Sequence, residues 1–281
     1  MKAIYSERMN APMQALSPSA AKPAAVMAAW RAEWPALEVR PPQPVTVQEL
    51  CLAHERSFVE DVLAGRRPNG FGNRDPAVAA SLPWTSGALL SAARWALDGA
   101  GIVAAPVSGF HHAGWDKAAD FCTFNGLMVT ALALRADRPG LRVGILDYDY
   151  HYGDGTEDIL DRVGREGITH ITAGEEWMYG CDPQAFLAQV ESDVARLADT
   201  CDVVLYQAGA DPHVDDPLGG FLDTAQMAMR DLQVFSGLHS AGVPVAWVLA
   251  GGYQEPLQKV VQLHVNTMRM VAEVMGLQSR P

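Results

Sequence analysis

Alternate residues of an extended chain share one face, so the side chains of Asp149 and His151 project to the same side and can reach one metal ion. They lie in Asp147-Tyr148-Asp149-Tyr150-His151-Tyr152-Gly153-Asp154-Gly155, directly after the apolar run Arg142–Leu146. A further carboxylate, Asp211, stands in Ala208-Gly209-Ala210-Asp211-Pro212-His213, after the run Val203–Gln207. Two carboxylates and an imidazole make three protein ligands and leave positions for water and substrate, as a hydrolytic zinc site requires. Taken alone, acids at a strand end serve equally as helix caps or as magnesium ligands for phosphoryl transfer. Phe110-His111-His112-Ala113 follows the run Ile102–Val107, and Ala250-Gly251-Gly252-Tyr253 follows Pro244–Leu249. Neither a histidine pair nor a Gly-Gly-Tyr turn means much by itself. All four clusters, however, end β-type runs, which places them at one edge of one sheet, where open α/β sheets bind ligands.

The elements that position these clusters alternate between short apolar runs and amphipathic stretches, the pattern of a parallel sheet covered by helices. The runs predict strands at Ile102–Val107, Arg142–Leu146, Ile168–Thr172, Val203–Gln207 and Pro244–Leu249. Helices are expected at Phe124–Arg135, Thr156–Val163, Pro183–Ala198, Thr224–Leu238 and Leu257–Met275, with Asp182-Pro183 as an N-cap followed by proline. Upstream, Thr46-Val47-Gln48-Glu49 reads as a capping box opening a helix that runs to Leu63, and a long helix covers about Thr85 to Leu97. The first 45 residues read as a short helix between irregular segments, with Ser17-Pro18-Ser19 and Arg40-Pro41-Pro42-Gln43-Pro44 as turn-rich stretches. His54, His170, His239 and His264 fall in helical or core patterns and read as structural, whereas Trp177 is expected to line a pocket.

At 281 residues, with 49% hydrophobic and 19% charged residues, the chain suits one compact α/β domain spanning 1–281. A net charge of −12 and a pI near 5.0 oppose binding to phosphate backbones, so no nucleic-acid partner is expected. Neutral or cationic substrates fit better. Cys51, Cys122, Cys181 and Cys201 form no CxxC pair and read as free thiols of a reducing compartment. With no secretory h-region and no apolar run of about 18 residues, a cytoplasmic location without membrane association is expected.

Taken in order, Gly109-Phe110-His111-His112-Ala113, Asp120-Phe121-Cys122-Thr123-Phe124-Asn125, Asp147 to Thr156, Gly209-Ala210-Asp211-Pro212, Asp216-Pro217-Leu218-Gly219-Gly220 and Gly251-Gly252-Tyr253 resemble the zinc-dependent histone deacetylase family. That family includes bacterial acetylpolyamine amidohydrolases. The resemblance implies a three-layer arginase/deacetylase-type α/β fold with a central, mainly parallel sheet flanked by helices. It implies one zinc per chain on Asp149, His151 and Asp211, with iron(II) as the alternative, and a structural potassium ion near Asp147–His151 and Thr172. By the same resemblance His112 is the general base, His111 its electrostatic or acid partner, and Asp147 and Asp154 the carboxylates that orient them. Tyr253 then stabilises the oxyanion, while Phe121, Asp120, Leu218 and Gly252 meet the substrate. The expected reaction removes acetyl or another acyl group from acyl-lysine or an acylated small amine. The alternative is a catalytically weak acyl-ligand or partner-binding protein on the same scaffold. A two-metal ureohydrolase is disfavoured by the shortage of bridging carboxylates.

Departures from the family pattern are specific. Tyr152 stands where a second histidine is usual, Asp120 where glycine precedes the channel phenylalanine, and Leu218 where polyamine-selective relatives can carry an acid. The stretch from Thr172 to Val203 is short and lacks the loop that forms the opposite channel wall. A more open site is therefore expected, unless Trp177, Met178 and Tyr179 or a second subunit in a homo-oligomer closes it.

Overall fold

The computed structural model describes residues 1–11, 21–174 and 176–277. The Ser17-Pro18-Ser19 stretch lies outside the described residues. In chain order the elements are β1 (Lys2–Ile4), α1 (Lys22–Glu33), β2 (Glu38–Arg40), α2 (Val47–Leu50), α3 (Arg56–Leu63), α4 (Pro76–Trp95), β3 (Ile102–Ala104) and α5 (Gly126–Asp137). They continue with β4 (Val143–Asp147), α6 (Asp154–Val163), β5 (Ile168–Thr172), α7 (Pro183–Thr200), β6 (Val203–Gln207), α8 (Thr224–Ser240), β7 (Val245–Val248) and α9 (Gln258–Val274).

The strands form one parallel sheet in the order β2-β1-β3-β7-β6-β4-β5. Every residue of β3, β4, β6 and β7 is buried, as expected where crossover helices cover both faces of a parallel sheet. Register decides where the site falls. Asp147 pairs with Thr172 on one side and Gln207 on the other, and Gln207 pairs with Val248. The C-terminal ends of β5, β4, β6 and β7 thus lie in one row, and the loops beyond them leave the same edge. Helices α7, α8, α9 and α1 pack in succession, and α4 packs on α5.

The five strands expected from apolar runs are present with small shifts at their ends, and β1 and β2 extend the sheet beyond β3. These two were missed because each has three residues, and β2 is charged at both ends. The helix expected from Thr46 to Leu63 is two helices. Thr46 and Glu49 do form a capping box, but α2 stops at Leu50 because His54 is drawn into the core. There its Nδ1 lies 2.8 Å from the Gly114 carbonyl, and its Nε2 accepts the Asn125 N–H at 2.8 Å. Glu55 then caps α3. Helix α4 begins at Pro76, capped by Asp75, upstream of the expected start at about Thr85, and runs through Pro83. Helix α6 starts at Asp154, two residues before the expected Thr156. Asp154 and Glu157 occupy its first turn, where carboxylates favour the positive end of the helix dipole. All four cysteines are free. Among the described residues no helix is long and apolar enough to cross a membrane.

Candidate metal and catalytic site

Asp149 and Asp211 are buried, and His151 closes a group whose ligand atoms all lie within 4.8 Å of one another. His151 Nδ1 is 3.1 Å from Asp149 Oδ1 and 3.0 Å from Asp211 Oδ2. Backbone donors aim both carboxylates: His151 N–H and Gly251 N–H donate to Asp149 at 3.0 and 2.7 Å, and Tyr150 N–H donates to Asp211 at 3.2 Å. Side-chain-free backbone is needed beside them. A Cβ on Gly251 would fall on the Asp211 carboxylate and within 2.8 Å of Asp149 Oδ2, and one on Gly209 would come within 2.7 Å of Asp211 Oδ1.

The electrostatics of the group suit a divalent cation. Burial and the charge on Asp149 raise the Asp211 pKa to about 7. Burial would also raise Asp149, but His111 and the hydrogen bonds from His151 and Asp211 outweigh it and hold this carboxyl well below its ordinary range. Hydrogen bonds donated to the two carboxylates push His151 up to about 11. Protons on His151 and Asp211 offset the charge of the two buried carboxylates in the metal-free group, the place a divalent cation would take. This oxygen-rich donor set with one nitrogen fits zinc or iron(II).

Beside it stand the two histidines. His111 Nδ1 lies 2.7 Å from Asp147 Oδ2, and His112 Nδ1 lies 2.7 Å from Asp154 Oδ1. An ionised carboxylate only accepts, so each Nδ1 carries its proton and each Nε2 faces away from its carboxylate. Their environments pull the pair apart. Burial alone would lower His111, yet the charges of Asp147 and Asp149 lift it to about 9. Burial and then the charge on His111 lower His112. At neutral pH the first imidazole is thus cationic and the second is a free base, the division of labour that acid–base catalysis uses.

This geometry gives a signed expectation for pH. The Asp154 carboxylate raises the His112 pKa. Asp154→Asn should therefore shift the acid limb of kcat/KM to lower pH, and should also lower kcat by about tenfold or more because the ring loses its orienting partner. An acid limb that stays in place or moves up would remove His112 from the role of base.

Tyr253 follows two glycines, and its N–H donates to Asp216 Oδ2 at 2.7 Å. Its ring centroid is 6.0 Å from that of Phe121 and 6.5 Å from that of His151. Burial, then the charges of Asp149 and Asp211, raise the phenol well above its ordinary pKa, so it remains a donor. Gly252 has φ 136, and a Cβ there would come within 2.8 Å of Val260 Cγ1.

The sequence profile of the family described as "Histone deacetylase domain" matches residues 7–171, more than half of the chain. The chain belongs to the histone deacetylase family. An uncharacterized protein of Picosynechococcus is 27% identical over 69% of this chain and 73% of its own length. Acetylpolyamine amidohydrolase 1 of Pseudomonas aeruginosa is 28% identical over 51% of this chain and 48% of its own length, so the chain spans about half of that relative. Acetylpolyamine amidohydrolase of Mycoplana ramosa is 25% identical over 69% of this chain and 64% of its own length. The solved HDA15 HD domain superposes with a TM-score of 0.80 at 20% identity, covering 100% of this chain and 89% of that one, which establishes the arginase/deacetylase fold.

In this histone deacetylase family member the site opens into a cavity of about 270 Å³ lined by His111, His112, Asp120, Phe121, Asp149, Gly251 and Tyr253, among others. Asp120 and Phe121 have φ 44 and 66, a left-handed conformation that favours glycine. They are held there by Phe121 N–H donating to the Gly70 carbonyl at 2.9 Å and by the close pairing of Ala119 with Cys122. Asp120 is exposed at the cavity mouth. Leu218 is half exposed and does not line this cavity, which leaves it at most a rim position. Trp177 is also displaced from expectation: its ring packs on Phe186 at 5.3 Å and lines neither this cavity nor the apolar one beside it. Met178 and Tyr179 are exposed and line neither cavity.

Three groups escaped sequence reasoning. Gln207, the last residue of β6, donates to Asp147 at 2.8 Å and accepts the Phe110 N–H at 3.2 Å, tying the histidine loop to its carboxylate. Its signal was a polar residue ending an otherwise apolar run. Asp216, quoted only as part of a motif, holds Tyr253. Lys22, with no local signal, is buried behind Ala250. Thr172, expected near a potassium site, pairs with Asp147 across the sheet, and its hydroxyl accepts the Gly153 N–H at 3.2 Å.

Proposed function

We propose that this chain is a metal-dependent amide hydrolase that removes an acyl group from a primary amine. The observation that carries the reading is the histidine pair, each ring on its own carboxylate, beside a metal-competent Asp-His-Asp group. Held by Asp149, His151 and Asp211, zinc or iron(II) would supply a Lewis acid that polarises the amide carbonyl and acidifies water. His112 Nε2 takes the proton of the attacking water and delivers it to the departing amine. His111, kept protonated, offsets the negative charge that develops. Tyr253 donates its hydroxyl to the carbonyl oxygen as that oxygen becomes anionic.

The substrate class follows from the cavity walls. Asp120 at the mouth and the chain's net charge of −12 favour a cationic amine, acyl-lysine or an acylated small amine, and relatives bear the name acetylpolyamine amidohydrolase. A second, largely apolar cavity of about 580 Å³ shares Ser108, Gly109 and Phe121 with the first and is walled by Met9, Leu82, Phe110 and Phe124. It offers room for acyl groups longer than acetyl. A second reading, a weakly catalytic acyl-binding protein, is favoured by the exposure of Met178 and Tyr179, which line neither cavity.

A fluorogenic panel of acetyl-, butyryl- and octanoyl-lysines with acetylated polyamines, run on zinc-loaded protein, separates the two. Turnover that disappears on chelation and extends to the longer acyl groups is the expected result. Zinc bound at one per chain, with no turnover of any amide, would move the reading to a binding role.

A further inference from the structure

Lys22 breaks the local rules of its own segment. It opens α1, where a cation opposes the helix dipole, and Ala21 before it supplies no capping side chain. Its side chain is fully buried, a costly place for an ammonium group. Among the described residues it forms no ion pair. Its hydrogen bond runs to the carbonyl of Ala250, 228 residues away. Burial lowers its pKa to about 8, and the through-space charges of Asp211, Asp149 and Asp216 keep it from falling further.

The peptide unit that begins with the Ala250 carbonyl ends with the Gly251 N–H, and that N–H donates to Asp149 Oδ2 at 2.7 Å. Ammonium, peptide and carboxylate therefore form one line of hydrogen bonds, in which each bond polarises the next. Ala250 itself has φ 55, a setting that a non-glycine residue keeps only where its surroundings over-determine it. The lysine is held in place by the rest of α1. Trp30 Nε1 donates to the His264 carbonyl at 3.1 Å, its ring packs on Trp247 at 5.3 Å, and Glu33 pairs with Arg269.

We propose that Lys22 is a positioning residue for the metal site: acting through the Ala250–Gly251 peptide, it fixes and strengthens the donor that orients Asp149, and so tightens the binding of a divalent cation. This rests on the metal-binding reading of Asp149, His151 and Asp211. Orientation outweighs the repulsion between the ammonium and the bound cation because the peptide stands between them.

The test uses the full chain as wild type, Lys22→Met and Lys22→Arg, with zinc affinity measured by competition against a chromophoric chelator and thermal unfolding followed after metal removal. Lys22→Met should weaken zinc binding by roughly 10–100-fold, the usual effect of losing a group that supports a ligand. Its metal-free midpoint should stay close to wild type, because relief of the buried ammonium's desolvation offsets the hydrogen bond lost at the Ala250 carbonyl. Lys22→Arg should keep most of the affinity. Zinc binding in Lys22→Met as tight as wild type or tighter, a metal-free midpoint that falls together with the affinity, or an arginine variant as weak as the methionine one would each overturn the assignment. If the wild-type chain takes up no zinc, the metal reading itself fails, and Lys22 loses this role with it.

Discussion

Tyr253→Phe is expected to lower turnover by about 10²–10³, with zinc content and KM close to wild type. The half-buried phenol lies near the charges of Asp149 and Asp211, which with desolvation raise its pKa, so it stays protonated over the whole working range. Its backbone is fixed independently by Asp216, so removing one oxygen leaves the loop in place. The lost hydrogen bond is one that strengthens as the carbonyl oxygen gains charge, and a loss of that kind appears in kcat. Steady-state kinetics on the best amide of the panel, with metal content measured alongside, decide the matter. A loss below tenfold would mean that another group stabilises the oxyanion.

His112→Ala should cost about 10²–10⁴ in kcat/KM and also flatten the acid limb of the pH profile. Of the two histidines only His112 is held neutral near pH 7, and activity falls when protons fill its Nε2 as the pH drops through its lowered pKa. Without the ring there is no such step. His111→Ala serves as the contrast, because His111 is lifted to about 9 and is not a base at neutral pH. If the acid limb disappears in the His111 variant and survives in the His112 variant, the two roles must be exchanged.

Much of this site was legible from residue order alone because parallel sheets place polar residues at the end of apolar runs. Asp149, His151, Asp211 and Tyr253 follow strands whose ends the register brings into one row, and the histidine pair follows β3, which pairs with β7 at the end of that row. What stayed hidden depends on contacts far apart in sequence. Lys22 sits in an Ala- and Pro-rich stretch and gains meaning only from Ala250. Gln207 lies within its strand, where its amide was indistinguishable from a chance polar residue until Asp147 and Phe110 met it. The expected helix from Thr46 to Leu63 failed because His54, on a helical apolar face by spacing, is bonded to the loops around Gly114 and Asn125. Trp177 was placed in a pocket because it follows a strand, but Phe186 on α7 offered it a larger apolar partner.

The ligand set spans two separate parts of the chain. Asp149 and His151 leave β4, whereas Asp211 leaves β6, and His151 and Asp211 are 60 positions apart in sequence, with β5 and α7 between them. An ion held by all three is therefore a clasp across a long loop as well as a reagent. Because it binds the closed arrangement and has little hold on the open chain, its occupancy and the folding equilibrium rise and fall together. If the proposed ion is this clasp, the metal-free chain would open more often across β4 and β6, and proteolysis of that open form would make abundance itself a function of metal supply.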